Sequence, residues 1–353
     1  MCQLLAINAD TPTSISFTFR KFCQRGGCGD VHKDGWGLCF YEGGGGIRSF
    51  YDTAACCRSP LAAFLKDNFS PKTSNMVAHI RYMTRGDVSI ENLHPFVREL
   101  WGITFCFAHN GDVPLFSHIQ KNRHILLGKA SADNLVYHEV GDTDSEAVFC
   151  AILNALRAEF HDELPTLHQL HDFLAQICEE IVTHKDVIFN FILSCGPNTL
   201  FAYSWPGRKP PSTTWNGLYY LVRQEVSPSI ATVTAAMPST PSVHSLKLED
   251  EDYEIDYHFP PLTTSKNDEN TTTINNPPEH LNRIAIVATK PLTDEVGWIE
   301  MKPRELLMFD RGVPYSTSTE LDTIDCEGRG LLSKCFPKAA CLVCKASSRT
   351  PIH

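Results

Sequence analysis

Two sets of short apolar runs, separated by a helical block, set the tightest limit on how this chain can fold. The first set is "QLLAIN", "GWGLCFYE", "NMVAHIRY" and "GITFCFAH", divided by Gly-, Asn- and Asp-rich turns. The second is "VIFNFILSC", "TLFAYSW", "GLYYLVRQ", "RIAIVATK" and "ELLMFD". From Thr143 the period changes. Ala147, Val148, Ala151, Ile152, Ala155 and Leu156 recur at three- and four-residue intervals, and "LHQLHDFLAQICEEIV" repeats the pattern over 167–182. Strands gathered on both sides of helices, rather than alternating with them, predict an α+β layered fold and not a parallel sheet of βαβ units. "EGGGG" at 42–46 reads as a hairpin connection, and the missing Gly-Lys-Ser/Thr ending excludes a phosphate loop.

At 353 residues the chain can bury a sizeable core as one large domain or two. A net charge of −10 without a basic block excludes a general nucleic-acid binder. No apolar stretch approaches the roughly 20 residues that span a bilayer, and the start has neither a basic n-region nor a cleavage site, so no membrane partner is expected. The 14 cysteines are scattered, several of them inside apolar runs, which suits free thiols in a reducing, cytoplasmic compartment. Polar, Pro-rich segments near 227–245 and 261–280 read as insertions in one domain spanning 2–310, followed by a poorly patterned tail over 311–353. In that tail "CLVC" at 341–344 has only Cys326 and Cys335 as companions, a spacing that fits no common zinc module. No metal site is expected.

Four features could carry chemistry, and each also has a structural explanation. Cys2 follows an initiator Met that is trimmed when the second side chain is small, leaving an α-amine beside a thiol. That amine titrates near pH 8, so its neutral fraction can take the thiol proton. In "AHIRYMTRG", strand alternation puts His79, Arg81 and Met83 on one face; Arg81 pairs with a neighbouring acid or grips a carboxylate in bidentate fashion. "FAHNGDV" offers Asn110 and Gly111, a short hairpin signal and equally an oxyanion hole built from an amide and a backbone N–H. In "GDTDSEAVF", Thr143 and Glu146 form a capping box and place Asp144 in a first helical turn, as a dipole partner or a receiver of a substrate ammonium. Together these parts would hold a free α-amino acid by its head and cleave an amide on its side chain. Glutamine or another γ-glutamyl compound fits that description.

The order Cys2, "GDVHKDGWG", "AHIRYMTRG", "ENLHPF", "FAHNG" and "DTDSE" resembles the glutaminase domain of class II glutamine amidotransferases, a branch of the N-terminal-nucleophile hydrolases. The likeness is greatest to small stand-alone members and to those of the glutathione-degradosome type. It implies a four-layer αββα sandwich, two antiparallel sheets between helical layers. It also implies Cys2 as nucleophile, Asn110 and Gly111 as oxyanion hole, Arg81 on the substrate α-carboxylate with Thr84 shaping that pocket, and Asp144 on the α-ammonium. His94 would lie beside the pocket, while Arg25, Gly26, His32 and Asp34 would support it. Glucosamine-6-phosphate synthase, one of the large members, carries Trp in place of Tyr82 and His in place of Arg85. The chemistry implied is hydrolysis through a γ-glutamyl thioester, with no metal or organic cofactor. The partner is then a small-molecule γ-glutamyl substrate, or additionally a protein subunit that uses the product; a silent scaffold is the remaining alternative.

Overall fold

The computed structural model describes residues 2–69, 71–83, 86–117, 126–205, 216–226 and 281–316. The chain divides into two units, Met1–Glu225 with Asn282–His353, and Val226–Leu281. Both expected insertions, Thr84, and the tail beyond residue 316 lie outside the described residues.

The first half runs β1 (Gln3–Ser14), α1 (Ser16–Cys23), β2 (Trp36–Glu42), β3 (Gly46–Asp52), α2 (Pro60–Asp67), β4 (Lys72–Ile80), β5 (Phe96–Leu100), β6 (Ile103–Asp112) and the single turn α3 (Pro114–Ser117). Helices α4 (Asp144–Phe160) and α5 (Leu167–Val182) follow. The second half is β7 (Ile188–Cys195), β8 (Thr199–Ser204), β9 (Tyr219–Val226), β10 (Leu281–Ala288), β11 (Ile299–Glu300), β12 (Glu305–Asp310) and β13 (Val313–Tyr315). One antiparallel sheet has seven strands in the order β11-β9-β10-β1-β4-β2-β3, and the other has six in the order β13-β12-β8-β7-β6-β5.

Three apolar cores separate four layers. Phe19, Phe22, Ala62 and Leu65 of α1 and α2 pack on Leu5, Ile7, Leu38 and Ala78 of the first sheet. Between the sheets, Leu4, Ala6, Cys39 and Val77 meet Cys106, Ala108, Ile192 and Ala202. Beyond the second sheet, Phe105, Phe107, Phe189 and Phe191 pack on Val148, Phe149 and Ile152 of α4 and Leu174 and Ile177 of α5. Alternate residues of one strand therefore serve different cores, as the two-residue period of a strand requires. This is the expected αββα sandwich.

Some elements differ from the sequence reading. Helices α1 and α2 stand in a region whose sequence is dominated by short strand-like runs. At eight residues each they are too short for a clear helical period, although Ser59, accepting from the Ala62 N–H, and Pro60 form a start signal for α2. The sheet also runs past residue 310, because β13 pairs with β12. The "EGGGG" hairpin is present, joining β2 to β3 with Gly43 and Gly45 at positive φ. Cys28 and Cys57 form a disulfide, a departure from the reading of scattered free thiols that no cysteine spacing signals. The CLVC segment lies outside the described residues.

Candidate active site

Strand register brings the first of the candidate residues together. Gln3 of β1 pairs with Ile80 of β4, so the next residues outward are Cys2 and Arg81. The Cys2 thiol accepts from the Tyr82 N–H at 3.3 Å and donates to the Tyr82 carbonyl at 3.5 Å. Even-numbered β1 residues face the second sheet, as Leu4 and Ala6 do, and Cys106 and Ala108 of β6 face back toward the first. Continuing that alternation, Asn110 reaches across, and its Nδ2 donates to the Cys2 carbonyl at 2.7 Å. The Asn110 carbonyl is held in turn by Asn190 Nδ2 at 3.1 Å, and Asn190 Oδ1 accepts from the Trp205 N–H at 2.8 Å.

Asn110 and Gly111 do not form a hairpin turn. They lie inside β6, opposite Asn190 and Phe189 of β7. Their dipeptide signal is overridden by pairing with a long neighbouring strand. Glycine is required at 111 because a Cβ there would stand 1.8 Å from the Ile188 carbonyl oxygen.

Arg81 is buried just past the end of β4, with its Nη1 donating to the Asp87 carbonyl at 2.6 Å. Its backbone is tied to the loop before β2: Arg81 N donates to Gly35 O at 2.9 Å and Asp34 N to Arg81 O at 3.3 Å. Asp34 Oδ2 also accepts from the Met83 N–H at 2.8 Å. The expected alternation of His79, Arg81 and Met83 stops at Arg81. The chain leaves the sheet after Ile80, and Met83 is exposed while His79 is fully buried.

Asp144 opens α4 and is buried, with Oδ2 accepting from the Val113 N–H at 2.7 Å. Thr143 caps the helix by accepting from Glu146 N at 3.2 Å, but only this half of the expected capping box forms. The Glu146 carboxylate is drawn instead to Arg98 Nη2 at 2.5 Å and Gly141 N at 2.7 Å. The full box is at α5, where Thr166 and Gln169 exchange both bonds.

His94, expected beside the pocket, and the supporting candidates His32, Arg25 and Gly26 remain. His94 is buried against His79, with ring centroids 4.2 Å apart, and against Phe96 at 4.5 Å. Burial, reinforced by His79, His109 and Arg81, holds its ring well below the usual histidine range and therefore neutral. His32 is buried, set edge-on to Tyr82 at 5.8 Å and 3.3 Å from Asp30 Oδ2. Arg25 is committed to Gln3 Oε1 at 3.3 Å and to the carbonyls of Lys290 and Pro291. At Gly26 a Cβ would fall 2.4 Å from that of Cys56, so this turn closes only on glycine.

Burial is the largest influence on the Cys2 thiol and pushes its pKa up. The bond from Tyr82, the N-terminal charge and Arg81 oppose that rise, and Asp144 adds to it. With desolvation the largest influence, the thiol stays protonated at neutral pH. Sequence reasoning missed Tyr82 as the backbone partner of the thiol and Asn190 as the anchor of Asn110. Asn190 carried one faint signal: it is a polar residue within the otherwise apolar "VIFNFIL". Among the described residues no group of three or more His, Cys, Asp or Glu could hold a metal ion, and no helix is long and apolar enough to cross a membrane.

Two antiparallel sheets between helical layers, with a cysteine at position two facing an Asn-Gly pair, define the N-terminal-nucleophile class of fold. A family model described as "Glutamine amidotransferases class-II" matches residues 1–327, and the chain belongs to that family. It is 33% identical over 312 residues to the Escherichia coli (strain K12) protein named "Putative glutamine amidotransferase YafJ", covering 88% of this chain and 98% of that one. A Haemophilus influenzae protein named "Putative glutamine amidotransferase" is 39% identical over 196 residues, which cover 56% of this chain and 60% of that protein. Among solved structures, that of a "predicted glutamine amidotransferase from Pseudomonas aeruginosa PA01" superposes with a TM-score of 0.53 at 27% identity, over 90% of this chain and 100% of that one.

Proposed function

We propose that the protein hydrolyses the side-chain amide of glutamine, or of another γ-glutamyl compound, using Cys2 as its nucleophile. Loss of Met1 exposes the Cys2 α-amine. Because the half-buried thiol holds its proton, the amine accepts it during the attack, through a water, rather than beforehand. Sulfur adds to the γ-carbonyl carbon and the carbonyl oxygen takes up negative charge. An amide NH₂ has two donors, of which Asn110 spends one on the Cys2 carbonyl. The second, with the Gly111 N–H, receives the oxyanion; one such donor is commonly worth ~10²–10³ in rate. The C–N bond then breaks, the proton held by the amine leaves with ammonia or an amine, and water cleaves the γ-glutamyl thioester to release glutamate. Arg81 receives the α-carboxylate and Asp144 the α-ammonium.

The observation that supports this reading is the bond between Asn110 and Cys2, which sets a side-chain amide beside the residue bearing the thiol. The test is glutamate release from glutamine and from glutathione by protein whose intact mass shows Met1 removed. Cys2→Ala is expected to release none from either, and full activity in that variant refutes the mechanism.

A further inference from the structure

One buried side chain outside the proposed catalytic set touches both arms of the head-group pocket. Asn92 sits in the short turn before β5 and is 2% exposed. Its Nδ2 donates to the Asp87 carbonyl at 3.1 Å and to Asp142 Oδ1 at 2.7 Å, and its Oδ1 accepts from the Asp142 N–H at 3.1 Å. The Asp87 carbonyl is the same oxygen that receives Arg81 Nη1. Asp142 is two residues ahead of Asp144, across the helix cap at Thr143. From the Arg81 guanidinium to the Asp144 turn, the connection thus runs through one amide whose two donors and acceptor are all used.

The surrounding backbone leaves this amide no slack. A Cβ at Gly141 would stand 2.2 Å from Asn92 Oδ1, and one at Gly86, whose φ is +66°, would stand 2.3 Å from Asp142 Oδ1 and 3.1 Å from Asn92 Nδ2. Two loops of different origin, one following β4 and one leading into α4, close on Asn92 with glycine at each point of contact. An asparagine suits this junction because it offers two donors and an acceptor in one plane.

We infer that Asn92 is a positioning residue that sets the spacing between Arg81 and Asp144, and so makes the site select compounds carrying both an α-carboxylate and an α-ammonium. The inference rests on the proposed function, which assigns those two groups to Arg81 and Asp144. Asn92 itself touches neither the thiol nor the substrate in this scheme. Replacing it by aspartate removes both donations and sets a second carboxylate against Asp142, while keeping the side chain's size.

The test compares kcat/KM for L-glutamine with that for its analogue lacking the α-amino group and its analogue lacking the α-carboxylate. In Asn92→Asp the preference for L-glutamine over each analogue is expected to shrink about tenfold or more, because bonds to charged groups of this kind carry that much discrimination. Loss of folded protein alone would lower all three values by one factor and leave both preferences intact, and that result overturns the inference. Where Asn92→Asp does not yield folded protein, Asp142→Ala at an exposed position decides the matter. It removes the side-chain bond of the Asp144 arm, leaving the Asp142 N–H to Asn92 Oδ1 and the whole Arg81 arm in place, so preference over the deamino analogue should fall while preference over the decarboxy analogue stays within about twofold. Equal change in both preferences, or none, overturns the inference. A wild-type protein that releases ammonia from none of the three compounds and no glutamate from glutathione removes the proposed function, and the inference with it; for a protein active on glutathione alone, the same comparison is made with glutathione and its analogues lacking the γ-glutamyl α-amino or α-carboxylate group. Wild-type turnover with unchanged preferences in the variant removes the inference alone.

Discussion

The Tyr82 N–H lies 3.3 Å from the Cys2 sulfur, on the residue immediately after Arg81. The proposed nucleophile and the proposed carboxylate clamp are therefore held by adjacent points of one antiparallel register, with Gln3 opposite Ile80. Each lies one residue beyond its strand, so their separation is set by the last pair of the sheet, and a sheet position is far stiffer than a loop position.

That stiffness makes Gly111 vulnerable. In Gly111→Ala the added methyl would meet the Ile188 carbonyl at 1.8 Å, so β6 must move away from β7 and take Asn110 with it. Activity should fall by about 10² or more, the effect of losing an oxyanion donor. Steady-state glutaminase assays on the folded variant check this, and near-normal kcat would show that Gly111 is not at the reaction centre.

Asp144→Asn keeps the shape of the side chain and removes its charge. An amide oxygen can still accept from Val113 N, now 2.7 Å from Oδ2, so α4 should keep its start. The attraction for an ammonium is lost. KM for L-glutamine is expected to rise about 10- to 100-fold, as for a charged hydrogen bond. The same measurement with the deamino analogue should show little change; a matching loss there removes Asp144 from the ammonium role.

The thiol's titration has a definite sign. Burial disfavours the thiolate, so the folded-state pKa lies above the usual cysteine value of about 8.5. Iodoacetamide labelling of Cys2, followed by peptide mass spectrometry, should therefore keep accelerating as pH rises past that value. A rate already at its plateau at pH 7 would mean a preformed thiolate and would contradict the proton transfer proposed here.

Stability and site geometry meet at Phe149. Its ring stacks on Phe107 of β6 at 5.0 Å and 3° from parallel, and it is fully buried on the helix that begins with Asp144. Phe149→Ala should cost ~3–5 kcal/mol through lost burial and the cavity left behind. Urea denaturation should show this as a lower midpoint at unchanged slope. A loss below about 1 kcal/mol would mean that α4 is not pinned to the second sheet at this point.

Much of this was legible along the chain. Periodicity separated strands from the long helices, and Cys2, Arg81, Asn110, Gly111 and Asp144 stood in motifs whose order resembles one family. These signals are local, since a two-residue or 3.6-residue period and a motif need only near neighbours. Local signals misled where a partner strand decided the outcome. Asn110-Gly111 reads as a turn, yet eight residues of β6 pair with β7 straight through it. Glu146 reads as half of a capping box, yet Arg98, 48 residues away, takes its carboxylate. The short helices α1 and α2 lacked enough turns to show a period at all.

The amino-acid sequence by itself determined the layered class of the fold, the reactive residue types and the possibility of an amine base at residue 2. Tertiary structure alone decided that the thiol, the Asn110 amide and the Arg81 segment share one end of the space between the sheets. It also joined Cys28 to Cys57, and Asn92 to both Asp87 and Asp142. The physical reason is separation along the chain: 108 residues divide Cys2 from Asn110, and only cross-strand register and burial carry information over that distance.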